Sequence, residues 1–69
     1  MSNFPRTYLA NGKPVTVVNK TTRNGFSIFK LDTGGTISVR QTSGRCDIIR
    51  EMDRFGCFNR FLRSFEAVQ

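Results

Sequence analysis

The sequence predicts an α+β fold, in which a small twisted antiparallel β-meander packs against a C-terminal helix. Two observations support this prediction. Three turn signals, two of them Asn-Gly, separate short apolar runs in the first two thirds of the chain, as in consecutive hairpins. In the last third, large apolar residues recur at steps of three and four, which is the period of a helix. An SH3-like barrel is one form that such a sheet can take.

The 69 residues are expected to form one small domain. We divide it into a flexible tail over residues 1–5, from which Phe4 can fold back onto the body, the β-meander over 6–41 and a helical segment over 46–66. A domain of this size buries only about 60% of the surface that its unfolded chain exposes. The N-terminal residues contain no apolar run, so we expect no signal peptide, no membrane span and a cytoplasmic protein.

Turn chemistry determines the first four expected strands. Asn11-Gly12 and Asn24-Gly25 suit two-residue hairpins because both residue types accept a positive φ. Asp32-Thr33-Gly34-Gly35 is a third turn. The strands expected around these turns are 7–10, 14–18, 26–31 and 36–40. Apolar residues occupy both alternating faces of 26–31, which predicts a strand that is covered on both sides.

The apolar residues of 53–65 share one face of a helix at roughly 100° per residue. They are Phe55, Phe58, Phe61, Leu62 and Phe65. Phe61 is therefore expected to anchor the core, and its replacement by alanine to cost on the order of 3–5 kcal/mol. Residues 46–52 fit either a fifth strand, by alternation, or a continuation of the helix. Their Arg, Glu and Met favour the helix, and Gly56 would mark a kink or break within it.

The net charge of +6 lies entirely in the first 45 residues. They hold seven of the eleven Lys and Arg residues and one carboxylate, whereas residues 46–69 hold four cations and four carboxylates. This asymmetry predicts nucleic acid as a polyanionic partner, although solubility explains it equally well. The candidate nucleic-acid-binding residues are Lys20, Arg23, Lys30, Arg40 and Arg45. Phe26 and Phe29 lie beside them and can either stack on unpaired bases or fill the core.

The inventory of reactive side chains argues against an enzyme. The chain has no histidine, which is the usual general base, so neither Cys46 nor Cys57 has an imidazole to activate it. Two thiols cannot complete a tetrahedral zinc site in one chain, and we therefore predict no metal site and no cofactor. Both cysteines are expected to be small buried hydrophobes.

A protein partner is the alternative to nucleic acid. If residues 46–65 form two helices broken at Gly56, a sheet of four short strands cannot cover both. The second helix would then expose aromatic side chains, and the candidates for partner binding are Phe58, Phe61 and Phe65. Such a surface would bind a host protein or a second copy of the chain.

The C-terminal segment G-C-F-N-R-F-L-R-S-F-E-A-V resembles small proteins of lambdoid prophages in enteric bacteria. Their pattern is a basic, β-rich front followed by a cysteine, an arginine-phenylalanine pair, a second phenylalanine and a terminal valine. Val15-Thr16-Val17 also resembles the central strand of that group. The matching C-terminal positions are Cys57, Arg60, Phe61, Phe65 and Val68. The group has no assigned activity to transfer, but the resemblance implies a bacterial cytoplasm and a phage-derived role.

Charge, chemistry and resemblance together predict a non-enzymatic accessory protein of phage origin. It would bind nucleic acid and modulate DNA replication, repair or transcription. The alternative is a small adaptor or inhibitor that binds a host protein, or a homodimer, through the aromatic C-terminal helix.

Overall fold

The computed structural model describes residues 4–40 and 48–68 and consists, over these residues, of one seven-stranded antiparallel sheet without a helix. The order across the sheet is β6-β5-β4-β3-β2-β1-β7. The strands are β1 (Arg6–Ala10), β2 (Lys13–Arg23), β3 (Phe26–Leu31), β4 (Thr36–Arg40), β5 (Ile48–Met52), β6 (Phe58–Leu62) and β7 (Phe65–Ala67). Only Arg63 and Ser64 separate β6 from β7, although these strands lie at opposite edges. The sheet is therefore curled into a half-barrel.

The two Asn-Gly hairpins are confirmed. Asn11 has a φ of 53° and Asn24 a φ of 51°, and the glycine after each also has a positive φ, as a type I′ turn requires. Asn24 and Gly25 alone form the loop between β2 and β3. β2 therefore continues to Arg23, which pairs with Phe26, and extends well beyond the predicted end at residue 18. A register shift between Val17 and Asn19 accommodates this long strand.

The α+β prediction is wrong, because the described part of the segment 46–66 contains β5, β6 and β7 instead of a helix. Asp53 reverses the chain between β5 and β6: its Oδ1 accepts hydrogen bonds from the backbone N–H groups of Phe55 and Cys57, both at 2.9 Å. The N–H of Gly56 donates to the Asp53 carbonyl at 3.0 Å, and Gly56 has a φ of 82°. Asp at the first position and Gly at the fourth are typical of a type I turn, so Gly56 closes a hairpin where the sequence predicted a helix kink.

A β-bulge in β6 explains why the apolar residues of 53–65 recur with a helical period. Phe58 pairs with Met52 and Arg60 pairs with Glu51, which leaves Asn59 as an extra residue. The extra residue brings Phe58 and Phe61 to the same face, with ring centroids 4.9 Å apart, although a step of three would otherwise place them on opposite faces. Phe61 is 60% exposed, so its expected role as a core anchor is wrong.

The core lies inside the curl. Its buried members come from six strands and are Ala10, Val17, Phe29, Leu31, Ile37, Ile49 and Leu62. Tyr8, Phe29 and Phe65 form an aromatic cluster at one side, in which Phe65 stacks on Tyr8 at 4.8 Å. Phe4 is half-buried against the core, so the predicted flexible tail includes a packed residue; residues 1–3 lie outside the described part.

Asn11 holds the corner between β6 and β7. Its backbone N–H donates to the Ser64 carbonyl at 3.0 Å. Its Oδ1 accepts hydrogen bonds from the backbone N–H groups of Arg63, at 2.6 Å, and Ser64, at 3.3 Å. Asn11 therefore forms part of the turn between β1 and β2 and also stabilises the turn at Arg63 and Ser64, which connects the two edge strands β6 and β7.

Candidate nucleic-acid interface

The side chains of β2 to β6 that point away from the core form a surface that we call the outer face. Residues directly opposite each other in antiparallel strands share a face, so the register defines this surface. One row runs from Arg23 through Phe26 to Arg40, and a second from Ser38 through Arg50 to Phe61. The charged and aromatic residues of the outer face are Arg23, Phe26, Lys30, Arg40, Arg50, Phe58 and Phe61.

Cations and aromatic rings are paired on the outer face. The guanidinium carbon of Arg40 lies 5.7 Å from the centroid of the Phe26 ring, and that of Arg50 lies 5.9 Å from the centroid of Phe61. Both distances allow a cation–π interaction. A guanidinium held against a ring keeps its N–H groups free to point along the surface, where they can donate to phosphate oxygens.

An open groove on the outer face has a volume of about 420 Å³. Arg23 and Asn24, from the turn between β2 and β3, line one end, while Gly56 and Phe58 line the other. Ser38 on the interior strand β4 also lines the groove and is only 7% exposed, so it lies at the floor. The volume falls within the range of roughly 300–1,000 Å³ that is usual for ligand pockets.

The outer face carries charge of one sign. No carboxylate occupies an outward position in the described residues of β3 to β6, whereas Lys30, Arg40 and Arg50 do. Glu51 points to the other side of the sheet, where its Oε1 accepts hydrogen bonds from Asn59 at 2.8 Å and from Arg60 at 3.0 Å. Because successive residues of β5 point to opposite faces, Arg50 lies on the outer face and Glu51 does not. Residues 46–69, which are neutral in net charge, therefore contribute the cation of Arg50 to the outer face.

The structure brings together part of the predicted nucleic-acid-binding set. Arg23, Lys30 and Arg40 lie on the outer face. Lys20 pairs with Phe29 on the opposite face, and its ammonium nitrogen lies 5.4 Å from the centroid of that ring. Arg45 lies outside the described residues. Sequence reasoning missed Arg50, for which the alternation of residues 48–52 was the available signal.

The aromatic candidates also divide between the two faces. Phe29 is 7% exposed and belongs to the core, whereas Phe26 lines the groove. Of the predicted partner-binding residues, Phe58 and Phe61 are 55% and 60% exposed on the outer face. Phe65 packs in the aromatic cluster, with its ring centroid 4.9 Å from that of Phe29, and does not join them.

Other features of the chain do not extend the site. Cys57 is exposed, so the expectation that it is a buried hydrophobe is wrong, and Cys46 lies outside the described residues. Within residues 4–40 and 48–68, no three His, Cys, Asp or Glu side chains are grouped so that they could hold a metal ion. The same residues include no helix with the length and apolar character needed to cross a membrane.

Comparison with known proteins does not assign a function to this face. No protein-family model matches the chain, and searches of curated proteins and of solved structures find no significant match.

Proposed function

We propose that this chain is a non-enzymatic protein that binds nucleic acid through its outer face. One observation carries the proposal: exposed aromatic rings alternate there with arginines, and no carboxylate shares the outward positions of the described strands β3 to β6. Arginine and lysine neutralise phosphates and release counterions, while aromatic rings stack on bases. The absence of histidine from the sequence supports a binding role over catalysis.

The proposed cellular role rests on the sequence resemblance. It is that of a prophage-derived accessory protein in the bacterial cytoplasm, which modulates DNA replication, repair or transcription. A small protein with an open basic face can act in any of these processes by occupying exposed nucleic acid.

The salt dependence of binding follows from the number of cations on the face. If Arg23, Lys30, Arg40 and Arg50 each neutralise one phosphate, the slope of log K against log salt is about −2.8 on a single strand and about −3.6 on a duplex. Replacing two of them should make either slope less steep by about half.

Fluorescence anisotropy with labelled single-stranded and duplex DNA and RNA, at about 50 and about 200 mM salt, tests the proposal. The variant R40Q/R50Q is expected to bind more weakly and with about half the salt slope. The matched control, R6Q/K13Q, removes the same charge from β1 and the start of β2, away from the outer face, and should keep the slope of the parent.

Two results would count against the proposal. One is the absence of binding to any nucleic acid at the lower salt concentration. The other is an equal loss in the two double variants, which would show that net charge alone attracts the ligand.

A protein partner is a second candidate, and the position of β6 favours it. Among the described strands β6 pairs only with β5, so one edge of β6 is open, and Phe58 and Phe61 flank it. An open edge can pair with a strand of a second copy or of a host protein. Sedimentation equilibrium would show a dimer that Phe61→Arg dissociates; a strict monomer at high concentration excludes the homodimer.

A further inference from the structure

We infer that the groove on the outer face accepts an unpaired nucleobase, so that the ligand of this protein is a single strand. The inference rests on the proposed function and specifies its substrate class. A duplex presents phosphates on its outside and keeps the faces of its bases stacked within, where the rings of a protein surface cannot reach them. Aromatic rings around a recess gain contact only from a base that has left the stack.

The groove has the lining that a base requires. Phe26 and Phe58 supply aromatic walls, and both come from strands that position their rings. Ser38 at the floor and Asn24 at the rim supply polar groups that can donate to or accept from the edge of a base. Arg23, at the same end as Asn24, can hold the phosphate of the inserted nucleotide.

The arrangement of Phe58 and Phe61 indicates two successive base contacts. Their rings are 4.9 Å apart but inclined at 60°, so one flat base cannot stack on both. Phe58 lines the groove, whereas Phe61 lies beyond it next to Arg50. One base therefore enters the groove beside Phe58, and its neighbour along the strand stacks on Phe61.

The chain contains a matched control for this contact. Phe55 is 76% exposed, in the turn just before β6, with its ring centroid 5.0 Å from the guanidinium carbon of Arg54. Phe55 does not line the groove. Phe58→Ala and Phe55→Ala thus remove the same exposed side chain from inside and from outside the proposed site.

The experiment measures dissociation constants of both variants for an oligothymidylate, for a duplex of equal length and for an abasic strand with the same phosphates. Phe58→Ala is expected to weaken binding to the oligothymidylate about 5- to 150-fold, which is the range for loss of one stacked base. Phe55→Ala should leave it unchanged. The parent protein should bind the abasic strand and the duplex more weakly than the oligothymidylate, and Phe58→Ala should not alter either value.

The outcomes separate this inference from the proposed function. Equal affinity for single strand and duplex, together with equal behaviour of Phe58→Ala and Phe55→Ala, overturns base insertion. If R40Q/R50Q still loses salt-dependent binding in that case, the proposed function stands. No binding to any strand at low salt overturns both and leaves the edge of β6 as the remaining candidate interface. Thermal melts of Phe58→Ala and Phe55→Ala check that both variants are folded. We expect them to be, because the side chains of Phe58 and Phe55 are largely exposed.

Discussion

Alanine substitutions at Phe61 and Ile37 test the sheet assignment of the C-terminal segment directly. Ile37 lies on the interior strand β4, is 0% exposed and pairs with the buried Phe29. Its truncation leaves a cavity and should cost about 2–5 kcal/mol of unfolding free energy. Phe61 is 60% exposed, so about two fifths of its surface is covered. Full burial of such a side chain contributes about 1.5–3 kcal/mol, and Phe61→Ala should therefore cost only about 1 kcal/mol.

Urea unfolding followed by circular dichroism measures both values, and thermal melts provide a second estimate. In a domain of this size each kcal/mol corresponds to about 4–8 °C in Tm. The Tm of Phe61→Ala should fall by about that amount, and that of Ile37→Ala by at least twice as much. A loss of about 3–5 kcal/mol in Phe61→Ala would refute the reasoning, because it is the value expected for a ring packed between a helix and a sheet.

Three further substitutions and one control, Asn24→Ala, test the turns that shape the half-barrel. Asn11→Ala should lower stability by about 1–3 kcal/mol in urea titrations, since it removes the acceptor of two backbone N–H groups at the corner and places alanine at a positive φ. Asn24→Ala places alanine at the same positive φ without the loss of that corner contact and should cost less. Gly35→Ala should be destabilising in a thermal melt, because the new Cβ would lie 2.9 Å from the carbonyl oxygen of Met52. A melt equal to that of the parent would show that Gly35 does not lie against the end of β5. Asp53→Ala removes the acceptor of two backbone N–H groups and should cost about 1 kcal/mol in urea unfolding, whereas an unchanged midpoint would contradict the turn geometry.

The candidate interface was partly predictable. Arg23, Lys30 and Arg40 were among the candidates because they are basic residues of the expected strands and turns in the positively charged first part of the chain. The same reasoning selected Lys20, which lies on the other face, because charge alone does not show which side of the sheet a residue occupies. Arg50 was missed because residues 46–52 were expected to continue the helix and because residues 46–69 hold as many carboxylates as cations. In a strand the adjacent Glu51 points to the opposite face, so the same residues give a locally basic surface.

Sequence alone determined the hairpins at the two Asn-Gly turns, because the preference of these residues for positive φ is a property of the local backbone. It also determined the net charge of +6 and the lack of histidine, on which the proposal of a binding role draws. These properties need no knowledge of distant parts of the chain.

Only the tertiary structure decided the conformation of the C-terminal segment. Its apolar spacing of three and four comes from a bulge at Asn59 and from the corner at Arg63 and Ser64, and a local window cannot distinguish that pattern from a helical stripe. β7 gains its hydrogen bonds from a distant partner, as where Tyr8 pairs with Ala67, and β6 gains its hydrogen bonds from β5 across the turn at Asp53. Because such pairing outweighs the small differences in intrinsic propensity, the segment forms strands at both edges of the sheet and leaves Phe58 and Phe61 on its surface.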